Sequence, residues 1–232
     1  MIPVPQNTNR SAVARGILFI LLLLFLISLL GTTAVLNFFG LAKINPTLFF
    51  FSRILYWISA AFLWLYATKI EKQTLLIWEE TKYNASFYVK LIFTIFLGLI
   101  LGLYIIKIFL SLIGLLNKSD KMAELTVFFL NSKLLLVFTA LTAGVVEELI
   151  FRGYLLPRFE IIFKNHWIAI SISSLLFGLL HYRYGTIVNV VGPVFIGFVF
   201  GYFYWRFRNI KILIIAHFLW DIMALLLLIK QK

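Results

Sequence analysis

The chain has 232 residues, 62% of them hydrophobic, with a mean hydropathy of +1.02; a soluble domain is roughly 45–50% apolar, so a soluble globular protein is excluded. The net charge of +12 is carried mostly between apolar runs, which excludes a nucleic-acid-binding surface and points to membrane topology and anionic headgroups. There is no Cys, so disulfides and thiolate chemistry are excluded as well.

A polar lead over residues 1–14 carries Arg10, and Arg15 opens a first apolar segment from Gly16 to Phe39. Gly31-Thr32-Thr33-Ala34 is a weak match to a signal-peptide cleavage site, but the apolar run continues past it and reads as an uncleaved anchor. A second segment, Leu48 to Thr68, is rich in the aromatic residues that suit a membrane interface. Residues 69–90 are the longest polar stretch, with Lys69, Glu71, Lys72, Glu79, Glu80, Lys82 and Lys90. Leu75-Leu76-Ile77-Trp78 within it predicts an interfacial amphipathic helix. The third segment lies within 91–116, with Lys107 snorkelling to a headgroup layer. The fourth runs over 127–156 and stops at Pro157. The fifth covers 167–184, the sixth 186–205 with a kink at Gly192-Pro193, and the seventh 210–229. Hydrocarbon offers no partner to backbone polar groups, so each segment must be helical. The expectation is an all-α polytopic membrane helix bundle of about seven transmembrane helices, eight if the third segment or the 69–90 stretch is miscounted. The loops richer in Lys and Arg are the lead, residues 69–90, residues 157–166 and the Arg206-Arg208-Lys211 turn. They fall on one side, which places the N-terminus in the cytoplasm.

Three features inside apolar segments carry chemistry. Glu147 and Glu148 stand together in the fourth, where one ionised group costs about 2.5–3.5 kcal/mol on insertion scales. They point about 100° apart on an α-helix. Glu148 and Arg152 are at i, i+4 and can neutralise each other; an ion pair at a helix end would leave Glu147 unexplained. Phe177 and His181 share one helix face in the fifth segment, although a lone membrane His more often bonds a neighbouring helix than catalyses. His217 and Asp221 share a face in the seventh, where contact would orient the imidazole and fix its tautomer. His166, beside Trp167, reads as interfacial. Carboxylates and imidazoles gathered in hydrocarbon suggest a hydrolytic site built inside a membrane.

In order and spacing these features resemble the signature of the CAAX-protease and bacteriocin-processing family of intramembrane peptidases (the CPBP or Abi-like family). The pattern is Glu-Glu-x-x-x-Arg, then Phe-x-x-x-His, then His-x-x-x-Asn or Asp; here it reads Glu147 to Arg152, Phe177 to His181, and His217 to Asp221. The resemblance covers roughly residues 130–225, including Gly201 through Asn209. It implies N-terminal transmembrane segments over 1–126 and a catalytic core over 127–232, with helices around a conical intramembrane cavity. Glu147 would activate water for hydrolysis of a peptide bond. His181 and His217 would position that water or stabilise the oxyanion. Glu148, Arg152 and Phe177 would support the site. Many members carry Asn where this chain has Asp221, and an ionised Asp cannot donate a hydrogen bond.

Glu147, His181 and His217 are also a sound ligand set for a catalytic Zn2+, although the zinc-peptidase signature His-Glu-x-x-His is absent. A metal-free route lets Glu147 deprotonate water directly. Two other functions use similar residues. A proton- or ion-coupled transporter also needs intramembrane Glu, Asp and His, but the chain shows no internal repeat. A bacteriocin-immunity protein of the same family is the other, and it is compatible with proteolysis. The expected partners are a peptide or membrane-associated protein substrate and the lipid bilayer, with no nucleic acid.

Overall fold

In a computed structural model the described residues are 9–29, 33–38, 40 and 43–230. Residues 1–8 of the lead and Gly31-Thr32 of the weak cleavage site lie outside the described residues. Every regular element among the described residues is helical. In chain order they are α1 (Arg10–Leu29), α2 (Thr33–Phe38), α3 (Pro46–Tyr66, continued by a π-helical turn Ala67–Glu71), α4 (Ala85–Leu112), α5 (Asp120–Asn131), α6 (Lys133–Thr142), α7 (Leu156–Phe163), α8 (His166–Leu180), α9 (Val188–Phe207) and α10 (Ile210–Lys230). Between α6 and α7 the chain stays helical through two π-helical stretches, Ala143–Glu147 and Leu149–Leu155. The protein is an all-α integral membrane bundle.

Side-chain oxygens cap the helix starts. Asn45 accepts from the Leu48 N–H at 2.9 Å, Asn84 from Phe87 at 2.9 Å, and Asn165 from Trp167 at 2.9 Å and Ile168 at 3.1 Å. Each cap satisfies backbone donors that a helix leaves unpaired at its first turn.

Among the described residues six helices are long and apolar enough to cross a membrane: Arg10–Leu29, Pro46–Glu71, Ala85–Leu112, Lys133–Phe163, Val188–Phe207 and Ile210–Lys230. The fifth expected segment is instead the 15-residue α8. At about 1.5 Å per residue it is shorter than the ~30 Å hydrocarbon core. The fourth segment, expected over 127–156, instead runs from Lys133 to Phe163: residues 127–131 belong to α5, and the far end passes through Pro157. Proline lacks the N–H an α-helix interior needs, and here it sits in the first turn of α7, directly after the widened π-helical stretch. Helicity likewise continues through Pro193 in α9.

These two differences set the register of the site. Glu147 lies 16 residues before the end of α7 at Phe163, and His181 lies 15 residues after the start of α8 at His166. The α7–α8 turn makes the two helices antiparallel, so both residues fall at the same depth. Had the helix stopped at Pro157, they would not have met.

The 69–90 stretch forms no amphipathic helix. Residues 72–84 are an extended strap, folded against the bundle end by its polar groups. Arg158 of α7 grips Glu71 through Nη2 at 2.6 Å and Nε at 2.8 Å, and donates to the Leu75 carbonyl at 3.0 Å. Tyr154 Oη also bonds Glu71. Glu80 accepts from the Ile210 N–H at 2.7 Å and the Tyr204 hydroxyl at 3.0 Å. The Thr81 N–H donates to the Arg208 carbonyl at 2.7 Å, and Asn209 Nδ2 returns a bond to the Thr81 carbonyl at 2.7 Å. Trp78 is buried beneath the Arg208 guanidinium, which lies 3.4 Å from its ring centroid. An amphipathic helix would bury one apolar stripe; this segment instead uses its charged and backbone groups, which hydropathy does not report. The basic loops at 69–90, 157–166 and 206–211 therefore meet at one end of the bundle.

Candidate active site

Two glycines bring the functional helices together. A Cβ on Gly144 would lie 2.9 Å from the backbone N of Phe218 and 3.0 Å from the carbonyl O of Ile214, so only glycine lets the first π-helical stretch touch the α10 backbone. A Cβ on Gly178 would lie 2.2 Å from Val194 Cγ2 and 2.8 Å from the Val190 carbonyl, so α8 and α9 pack equally close. Trp57 Nε1 donates to Thr142 Oγ1 at 3.0 Å, fixing α3 to the turn before the glutamates. Ser173 of α8 donates to the Phe151 carbonyl at 3.0 Å. π-helical turns inside α-helices are frequent at functional sites because they break the regular i, i+4 side-chain register.

Glu148 is fully buried and is the hub of the site. Its Oε1 accepts from Arg152 Nη1 at 2.9 Å and from His217 Nδ1 at 2.8 Å. The Arg152 guanidinium lies 4.5 Å from the Phe177 ring and 5.5 Å from the Phe200 ring, contacts that favour a desolvated cation. Phe177 is thereby placed between Arg152, His181 at 5.0 Å and His217 at 6.0 Å between ring centroids.

The expected contact between Asp221 and His217 is not a hydrogen bond. His217 Nε2 and Asp221 Oδ1 are 3.7 Å apart, within ion-pair distance but beyond hydrogen-bond reach. The group that orients His217 is Glu148, 69 positions away in sequence. An ionised carboxylate only accepts, so His217 carries its proton on Nδ1 toward Glu148 and presents Nε2 on the side of Asp221. His181 follows the same rule: Nδ1 bonds the Phe177 carbonyl at 2.8 Å, leaving Nε2 for another partner.

Glu147 makes no hydrogen bond or ion pair with any described residue. It is half-buried and lines a cavity of about 260 Å³ together with Phe177, His181, His217 and Asp221. Glu148 and Arg152 lie behind the wall, and His166 is remote, stacked on Trp205 at 4.2 Å. The cavity occupies the half of the bundle away from the strap, reaching Phe49 and Arg53 near the start of α3 and Met122, Leu125 and Phe129 of α5. Among the described residues no three His, Asp or Glu side chains are grouped so as to hold a metal ion.

Residues 129–223 match the family model described as type II CAAX prenyl endopeptidase Rce1-like. This segment belongs to the CAAX-protease family. The match spans every motif residue from Glu147 to Asp221, and it supports a CAAX-type protease in general. No curated protein and no solved structure matches the chain. The CAAX-protease segment excludes α1, α3 and α4, although α3 supplies part of the cavity wall.

Arg53 and Asn189 also line the cavity and belong to none of the sequence motifs. Arg53 had a signal, being a charge five residues inside an apolar segment. Asn189 had none: a polar residue at the start of a helix is unremarkable until α9 is seen to enter the cavity wall.

Proposed function

We propose that the chain hydrolyses a peptide bond of a membrane-associated substrate with Glu147 as general base. One observation supports this above the others. Of two adjacent glutamates, Glu148 is buried and bonds Arg152 and His217 through Oε1, whereas Glu147 faces a cavity with no partner among the described residues. A carboxylate kept free of partners beside a cavity is available to take a proton.

In the reaction Glu147 removes a proton from water as the water oxygen attacks the scissile carbonyl. Nε2 of His181 and of His217 hold that water in line. The side-chain amide of Asn189, which makes one 3.4 Å contact to the Tyr184 carbonyl, offers the N–H donor that an ionised Asp221 lacks. When the carbon–nitrogen bond breaks, Glu147 returns its proton to the leaving amine. Donors placed where an oxyanion forms are worth about 10²-fold or more in rate. The ligand arrangement gives no ready cage for zinc, so no step is routed through a metal.

Membrane proteomes from cells expressing the wild type or Glu147→Gln test this reading. Substrates should accumulate uncut in the variant, and identical proteomes would reject it.

Asp221→Asn follows from the His217 geometry. Because Glu148 holds the ring, the variant should retain activity within about tenfold of wild type, read as kcat/KM. Bound zinc measured on the same samples separates the metal case. Activity lost together with metal would make Asp221 a ligand.

Lys and Arg in the strapped loops support placing that end, and the N-terminus, in the cytoplasm. The cavity would then lie in the opposite leaflet. Single cysteines introduced into the strap of this Cys-free chain should be shielded from an impermeant thiol reagent in intact cells; labelling of the strap would invert the topology.

A further inference from the structure

Three arginines of the spanning helices are buried or half-buried, and two of them are neutralised. Arg152 pairs with Glu148 at 2.9 Å and Arg158 with Glu71 at 2.6 Å. Arg53 does not pair. It is the eighth residue of α3, about 10 Å along the helix at 1.5 Å per residue. Its Nε contacts Ser52 Oγ at 3.3 Å, and its guanidinium lies 4.8 Å from the Phe49 ring and 4.9 Å from the Tyr56 ring. No carboxylate lies within ion-pair distance, and neither Nη atom has a hydrogen-bond partner among the described residues. An ionisable residue held inside a membrane span without a partner is expensive and marks a functional position.

Arg53 is also the one Arg or Lys among the described residues that line the catalytic cavity. The cavity is therefore polar in a directional sense. Glu147 and Asp221 repel an anion at the inner wall, while the Arg53 fork attracts one on α3. A guanidinium presents two parallel N–H donors that match a carboxylate. Phe49, Met122, Leu125 and Phe129 supply an apolar lining beside it.

We propose that Arg53 is the carboxylate-binding residue of the substrate cavity: a carboxylate of the peptide docks on its guanidinium, the apolar residues beside it lie against Phe49, Met122, Leu125 and Phe129, and the scissile bond is thereby set at Glu147. Arg53 fixes where along the peptide the chain is cut. The inference rests on the proteolytic reading only in that the cavity receives a peptide. The carboxylate can be the free C-terminus or an Asp or Glu side chain.

Binding to Glu147→Gln protein in nanodiscs tests the subsite without requiring cleavage. Three fluorescent pools of mixed-sequence apolar hexapeptides are compared: one with a free C-terminal carboxylate, one amidated, and one amidated with a single internal Glu. The free-acid pool should bind about tenfold or more tightly than the plain amide pool, the scale of a charged hydrogen bond in a desolvated site. Added Arg53→Gln should bring that ratio close to one, and Arg53→Lys should keep part of it, because the charge stays while the fork is lost. A preference for the internal-Glu pool over the plain amide assigns the site to a side-chain carboxylate. Equal binding of all three pools, or none, overturns the proposal and leaves Arg53 as an arginine reaching for headgroups. Cleavage of whichever pool binds, by protein with Glu147 intact, reports separately on proteolysis.

Discussion

Purified Glu147→Gln protein should insert, fold and bind peptide, yet fail to cut it. Glutamine keeps the size and polarity of glutamate but cannot take a proton from water. General acid–base groups typically contribute about 10²–10⁴-fold, and Glu147 is asked here to act in both directions, on the attacking water and on the leaving amine. Because Glu147 has no partner among the described residues, its neutralisation leaves no buried charge unpaired. The detergent melting temperature should therefore match or exceed wild type, since an unpaired carboxylate in an apolar wall is itself a cost. The measurement is product formation by mass spectrometry alongside thermal unfolding of the same preparation. Turnover near the wild-type rate would remove Glu147 as base; loss of both activity and melting temperature would make it a structural residue instead.

The sequence made the membrane class and the motif positions legible for a physical reason. A charge in hydrocarbon is so unfavourable that its presence is informative, and i, i+4 spacing shows which side chains share a face. That was enough to select Glu147, Glu148, Arg152, Phe177, His181, His217 and Asp221, which the structure brings into one neighbourhood. It was not enough to join them correctly. Asp221 looked like the partner of His217 because it is one turn away, but the helices cross so that Glu148 reaches the ring first. Pro157 looked like a helix end because a regular α-helix would end there, and the π-helical stretch that carries the chain past it leaves no signature in hydropathy. The strap was misread for a related reason. Its bonds join Glu80 to Ile210 and Thr81 to Arg208 across about 130 positions, and nothing local in residues 72–84 foretells them. Arg53 was the one residue whose local signal was available and unused.

The largest stability effects should come from Glu148 and Arg152. Both side chains are essentially inaccessible, and Glu148 Oε2 and Arg152 Nη2 make no hydrogen bond. A buried pair that is only partly satisfied contributes little by its presence, because desolvation offsets the attraction. Removing one partner is different: it strands the other charge, at a cost on the order of 3–5 kcal/mol. Glu148→Gln and Arg152→Met should each express poorly and melt well below wild type. The two variants should then part in activity. Arg152→Met leaves the Glu148–His217 bond available, so whatever protein survives should retain some turnover. Glu148→Gln replaces the anionic acceptor of His217 with a neutral one, so it should lose rate as well as stability. Combining Glu148→Leu with Arg152→Met removes both charges and fills the volume with apolar groups. That double variant should recover most of the melting temperature, as apolar replacements of buried ion pairs often do, while activity stays lost because nothing holds His217 Nδ1. Recovery of stability without recovery of activity is the result that separates Glu148 as the orienting group of the catalytic imidazole from Glu148 as half of a structural pair. Single variants as stable as wild type would show that solvent reaches the pair, and recovered activity in the double variant would return the orientation of His217 to Asp221.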